Sequence, residues 1–261
     1  MLLTVSSNSN FITNCIDIFI KYRPSFLLGI KYTLIIALTG TCIGLILGLF
    51  VGGLKAIKVE KQASSSVKVI KKIYDVISTI YIEFFRGTPM MIQAMFIYYA
   101  LLKVFNWTPE VAGIFIVSVN TGAYMSEIIR SGIQSVDNGQ VEAARSLGMS
   151  SIQTMFSVVL PQAIKNAFPA IGNEFIVNIK DSSVLSIISV TDLMFQTKRI
   201  GGSTFKYPEA SFVALMIYLV ITLITSLILR QVEAKINHVN TSIPQSDTNI
   251  SSINLAKGKD K

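Results

Sequence analysis

Residues 32 to 54 read YTLIIALTGTCIGLILGLFVGGL, 23 residues without a charge between Lys31 and Lys55. At about 1.5 Å per residue, a helix of this length crosses a bilayer core of roughly 30 Å, so a membrane-spanning helix is expected here. A second uncharged run, Ala210 to Leu229, has 20 residues, and shorter apolar tracts cover Gly87 to Leu102 and Val111 to Ser126. A fifth, more polar candidate runs from Ala163 to Ile179 and contains Asn166, Pro169, Asn173 and Glu174. Across all 261 residues, 51% are hydrophobic and 15% charged, too apolar for an ordinary soluble domain. The expected fold class is therefore an all-α membrane protein with about five transmembrane helices.

Orientation follows from the basic residues. The connection after the first span carries Lys55, Lys58, Lys61, Lys68, Lys71 and Lys72. Placing it in the cytoplasm puts the N-terminus outside and the C-terminus inside, with Arg130, Arg145 and Lys165 in an inner loop. Lys21, Arg23 and Lys31 fall on the outer side, so the bias is not absolute, and Arg86 and Lys180 lie at or within the membrane. The net charge of +8 is then mostly a topology signal, and nucleic acid is not needed as a partner. The chain divides into an interfacial segment 1–24, a transmembrane domain 25–235 with a loop at 137–161, and a polar, disordered cytoplasmic tail 236–261. Residues 1 to 20 lack the pattern of a cleavable signal peptide, and Phe11, Ile12, Ile16, Phe19 and Ile20 suggest an amphipathic helix on the outer interface. Two cysteines, Cys15 and Cys42, are too few for a disulfide framework, and Cys42 reads as a packing residue of the first span.

Catalysis and metal binding find little material. His238, in the polar tail, is the single histidine, so no catalytic residues, metal ligands or cofactor are expected. No G-x-x-x-x-G-K-[ST] loop occurs, because the one Gly-Lys pair, Gly258-Lys259, is followed by Asp260. Transport driven by ATP would need a separate hydrolysing subunit, and the chain itself is expected not to be an enzyme.

The inner loop is the best clue to function. Asp137 or Asn138 can cap a helix from about Gln140 to Leu147, Gly148 can terminate it at positive φ, and Ser150 with Gln153 forms a capping box for the next helix. A short helix held outside the bilayer is a docking surface for something soluble. Here Glu142-Ala143-Ala144, Gly148 and Val158-Val159-Leu160-Pro161 resemble the loop of the permease subunits of type I ATP-binding-cassette importers. That loop reads E-A-A, three residues, G, nine residues, I-x-L-P, with valine replacing isoleucine here. The resemblance covers about residues 25 to 235. Glu83-Phe84-Phe85-Arg86-Gly87-Thr88-Pro89, Gly122-Ala123-Tyr124 with Glu127 and Arg130, and Lys180-Asp181-Ser182-Ser183 resemble the polar amino acid branch. What the resemblance implies is a permease fold with a cytoplasmic coupling helix in the cell membrane. It also implies an amino acid substrate delivered by an extracellular substrate-binding protein, a second permease copy or sister permease, and ABC ATPase subunits touching Glu142, Ala143, Ala144 and Gly148.

Polar residues within spans point to the cargo, since each ionisable group there costs ~2.5–3.5 kcal/mol unless it meets a cavity or partner. Glu174 falls near mid-bilayer, and Asn178 and Asp181 follow at i+4 and i+7 on one helical face. Two carboxylates there favour arginine, lysine or histidine, with Lys180 as a partner for the ligand's carboxylate. Cystine and glutamine remain alternatives, because an acidic group also meets an α-amino group. On the third span Asn120 and Tyr124 are placed at the same cavity, while Glu127 and Arg130 read as a structural ion pair. Pro89 and Gln93, at the start of the second span, are either pocket residues or a kinked packing element. Gly40, Gly44, Gly48 and Gly52 make three overlapping G-x-x-x-G units, which invite close approach of another helix of this or another subunit. Rival readings are an ATP-independent secondary transporter or channel and an assembly subunit without a substrate path.

Overall fold

The computed structural model describes residues 10–57, 59 and 63–238, so the polar tail expected from 236 lies almost wholly outside the described residues. In chain order the helices are α1 (Phe11–Lys21), α2 (Arg23–Ala56), α3 (Ser65–Gly87), α4 (Met90–Phe105), α5 (Pro109–Gln134), α6 (Asn138–Ser146) and α7 (Ser151–Thr154). A π-helical turn (Met155–Val159) leads into α8 (Leu160–Asp181), and a 3-10 segment (Ser182–Ile188) precedes α9 (Leu193–Thr204) and α10 (Tyr207–His238). Among the described residues, α2, α5 and α10 are long and apolar enough to cross a membrane, and the bent pair α3–α4 makes a fourth crossing if it counts as one span. α8, at 22 residues, has the length of a span but carries more polar groups.

The glycine run decides how the bundle closes. α2 lies parallel to α5, and a Cβ on Gly44 would sit 2.7 Å from Thr121 Cγ2, while one on Gly40 would sit 2.5 Å from Val117 Cγ1. Gly48 and Gly52 press equally closely on Met125 and on the Ser126 backbone. The helix that the G-x-x-x-G repeat admits therefore belongs to the same chain. α8 packs antiparallel to α5 by the same device at its inner end, since a Cβ on Gly132 would come within 2.6 Å of the Ala163 carbonyl oxygen. Met125 and Ile129 of α5 then join Ala167 and Ile171 of α8 in a common core.

The second span departs from expectation. The tract Gly87 to Leu102 places Pro89 in the first turn of a span, but the helix there starts only at Met90, with Pro89 in the extended conformation as its N-cap. It follows a 23-residue helix, α3, with which it makes an angle of 113°. Lys68, Lys71 and Lys72 occupy only the first turns of α3, and the helix runs on from Ile73 to Gly87, about 22 Å, beyond what reads as a basic loop. Lys71 and Tyr74 bond to the last carbonyls of α2, Lys71 Nζ to Lys55 O at 3.2 Å and Tyr74 OH to Val51 O at 2.9 Å. These donors satisfy a helix end and hold the basic segment against it. Cys42 is also not a packing residue: it is exposed on the outer surface of α2, and Cys15 is the buried one.

At the other end α1 lies against α10 and α2 through Asn14, Cys15 and Ile18, leaving Phe11, Ile12, Ile16, Phe19 and Ile20 exposed. Lys206 Nζ donates to Asn14 Oδ1 at 2.8 Å, fixing α1 to the turn before α10. Asp192 caps α9 by accepting from Phe195 N at 2.9 Å, and Leu193 N donates to Thr33 Oγ1 at 3.2 Å. Gly29 permits this approach, because a Cβ there would meet Leu193 Cα at 2.7 Å.

Candidate functional site: a coupling loop and a polar layer in the membrane

The inner loop is built almost entirely by local rules. Asp137 Oδ1 accepts from Gly139 N at 2.7 Å, so α6 starts at Asn138, two residues before the expected Gln140. At its other end Gly148 takes φ +82°, Gly148 N donates to Arg145 O and Met149 N to Ala144 O at 3.2 Å. This pair of bonds is the Schellman closure, which needs a residue free to adopt positive φ. Ser150 and Gln153 complete a reciprocal capping box, with Gln153 N donating to Ser150 Oγ at 3.2 Å and Ser150 N to Gln153 Oε1 at 2.9 Å.

Four residues later the helix widens into the π turn, where Leu160 N reaches back to Met155 O. Pro161 sits in the first turn of α8 and has no N–H, so regular α bonding through this point is already broken. Val136, Val159 and Ala163 form the small core under the loop, packed by Val141 and Met155. Consequently Glu142 and Ala143 face outward, whereas Ala144 is buried at 5% exposure and serves the inner face of α6. Leu147, at 85% exposure, is the most prominent apolar group of the loop. The sequence marks it only as the last residue before the terminating glycine. Behind the loop lies a cavity of about 700 Å³, lined in part by Lys55, Arg130 and Thr154.

In the membrane the expected binding residues separate into two kinds. Asn178 is 3% exposed, donates Nδ2 to Thr41 Oγ1 at 2.8 Å and accepts from Thr121 Oγ1 at 3.1 Å, tying α2, α5 and α8 together. Gln93 donates Nε2 to Phe85 O at 2.9 Å and to Thr88 Oγ1 at 2.8 Å, and its Oε1 accepts from Asn120 Nδ2 at 2.8 Å. Gln93 and Asn120 thus brace the broken joint between α3 and α4 against α5. Pro89, at that joint, is exposed.

Glu174, half-buried one turn below Asn178, makes no hydrogen bond or ion pair among the described residues. Asp181 and Lys180 are exposed at the end of α8. Tyr124, one turn beyond Asn120, is half-buried with the Arg86 guanidinium 5.6 Å from its ring centre. Glu127 and Arg130 form a forked pair, with Arg130 Nη2 to Glu127 Oε2 at 2.7 Å and Nε to Oε1 at 3.2 Å. Sequence reasoning left Glu83 and Arg86 without a role. Their signal was two charges inside the apolar tract that follows Tyr74.

A protein-family comparison supplies the decisive observation. The model of the binding-protein-dependent transport system inner membrane component matches residues 44–238, which take in Gly44, Gly48 and Gly52 of the glycine run, the coupling loop and α8. The chain belongs to that family. Among similar proteins, a putative glutamine transport system permease of Rickettsia bellii is 38% identical over 220 residues, 83% of this chain and 96% of the relative. The glutamine transport system permease of Escherichia coli K12 is 34% identical, covering 81% of this chain and 93% of its own length. An arginine transport system permease of Bacillus subtilis is 36% identical, covering 82% and 93%. The crystal structure of an amino acid ABC transporter with histidines superposes with a TM-score of 0.74 at 38% identity, covering 87% of this chain and 99% of the other. An inward-facing methionine ABC transporter, at 18% identity and a TM-score of 0.70, shares the fold. The permease is a multi-pass membrane protein of the type I ABC importers, in the polar amino acid branch.

Proposed function

We propose that this permease passes a basic amino acid, arginine, lysine or histidine, inward by alternating access, driven by ATPase subunits docked on α6. The observation that supports the substrate class is Glu174: a carboxylate near mid-membrane, half-buried, with no hydrogen-bond or ion-pair partner among the described residues. Leaving it so costs ~2.5–3.5 kcal/mol, which a cationic side chain in transit offsets. Asp181 and Lys180 stand near the outer end of the same helix, where they meet the arriving zwitterion. Pro89, Gln93, Asn120, Tyr124 and Asn178 frame the path, largely by fixing its walls.

The drive comes from outside the chain. Glu142, Ala143 and Leu147 present the docking face, and Gly148 sets the angle at which the second helix leaves it. The permease hydrolyses no ATP itself. In this reading five spans, counting α8, leave the N-terminus outside and the C-terminus in the cytoplasm. An extracellular binding protein delivers the substrate, and two permeases stand side by side on two ATPases.

Glutamine is the second reading, favoured by the names of several relatives, with Glu174 then receiving the α-amino group. Substrate-stimulated ATP hydrolysis in the reconstituted complex separates the two, comparing arginine, lysine, histidine, glutamine and cystine. Stimulation by the three cationic amino acids, lost in Glu174→Gln, is the expected result. A response to glutamine alone overturns the basic-substrate reading.

A further inference from the structure

α3 is a membrane helix that its own chain leaves nearly bare. Of its 23 residues only Ser78 and Ile82 are buried. Ile73, Ile77, Ile80 and Phe84 stand exposed by 51–64%, and their spacing of three to four residues makes one continuous apolar seam. Glu83 flanks the upper end of this seam, Arg86 lies one turn on from Glu83 on the side that reaches Tyr124 of α5, and both are exposed.

Their depth follows from what α3 touches. Tyr81 OH donates to Val119 O at 2.6 Å and Asn120 Nδ2 to Phe85 O at 3.3 Å. Residues 119 and 120 are ten and eleven positions into the 26-residue α5, about 15–17 Å below its outer end. Glu83 and Arg86 are therefore near the middle of the bilayer. Neither makes a hydrogen bond or ion pair among the described residues. Arg86 lies over the Tyr124 ring, and the carboxylate one turn on, Glu127, is already held by the Nε–Nη2 edge of Arg130. Lipid tails cannot solvate such charges, and an acid and a base so close on one helix suit a partner that carries both signs.

We infer that α3 packs against α3 of a second copy of this chain, with Glu83 of each copy paired to Arg86 of the other across a twofold axis. The inference rests on the two-permease assembly proposed above. A twofold interface brings each patch onto its own image, so an acid and a base three residues apart on one helix become two reciprocal ion pairs. The seam from Ile73 to Phe84 supplies the apolar contact on which those pairs sit, and burial between helices keeps them from water.

The test uses the complete transporter, permease with its ATPases, purified and reconstituted. Glu83→Arg and Arg86→Glu each put four like charges at the axis, and each is expected to lower uptake at least about tenfold and to weaken permease pairing. The exchange E83R/R86E restores the reciprocal pairs and is expected to recover most of both. Loss of uptake in the exchange variant, with pairing intact, overturns the ion pair and assigns Arg86 to the substrate path instead. Because a single variant can fail to insert, a second measurement is independent of charge. Chains carrying Glu83→Cys or Arg86→Cys, with Cys15 and Cys42 changed to serine, are expected to form a disulfide between copies when co-expressed. No cross-link in an active complex overturns the interface, as does a mass showing one copy beside a different permease. A mass showing a lone permease overturns the two-permease reading itself.

Discussion

α5 and α3 are neighbours in one bundle and nearly equal in length, yet half of α5 is buried and all but two residues of α3 are not. α5 receives the glycine edge of α2 on one side and α8 on another, and its polar groups at Asn120 and Thr121 are hydrogen-bonded within the chain. α3 keeps its seam outward and leaves Glu83 and Arg86 without an ion pair among the described residues. The coupling helix α6 belongs with α3 in this respect, since Ala144 is its one buried residue. In the readings proposed above, the difference separates surfaces that make the subunit from surfaces kept for other proteins.

Three substitutions probe that division, read as stability of the isolated permease in detergent. The largest effect is expected for Gly48→Leu, which drives a side chain into the Met125 backbone across the α2–α5 contact. Overpacking of a tight core costs about 1–3 kcal/mol, and with backbone as the obstacle this variant is expected at or beyond the upper end. A thermal midpoint equal to that of the parent would show that α2 and α5 do not form the body of the subunit.

Next is Asn178→Ala, which leaves Thr41 and Thr121 without their shared partner and is expected to cost about 1–3 kcal/mol. A leucine there that restores stability but abolishes uptake would move Asn178 from the wall of the path to its lining. The smallest change in fold belongs to Gly148→Val. No atom lies within 4 Å of the added Cβ, so the cost is the left-handed backbone alone, about 1–2 kcal/mol. The spans stay inserted, but ATP hydrolysis is expected to run without uptake, and parental uptake in this variant would sink the coupling role of the bend.

What the sequence made legible follows the same division by range. The caps at Asp137, Gly148 and Ser150 depend on residues two to five apart, and all three appear where the side-chain chemistry placed them. The glycine repeat announced a close approach, but the partner helix lies some 75 residues away, and only the fold shows that it is α5. α3 was missed because Lys68, Lys71 and Lys72 masked its start, and nothing local tells that Lys71 and Tyr74 are spent on the end of α2. Gln93 and Asn178 were named for their polarity, but whether an amide is free depends on what the folded chain brings to it. Glu174 meets no such neighbour among the described residues, and its role in binding stays a proposal.

The hydrogen bonds at Asn178 have a mechanical meaning. α5 runs into α6 through only Ser135, Val136 and Asp137, and α8 continues from the other end of the coupling loop through the π turn. The two shafts that carry the loop are thus bolted together at Thr121 and Asn178, with α2 fastened to the same bolt through Thr41. A push on the loop has little slack in which to dissipate before it reaches the level of Glu174. The stroke of the motor and the tilt of the passage wall are then one displacement, seen at two ends of a single lever.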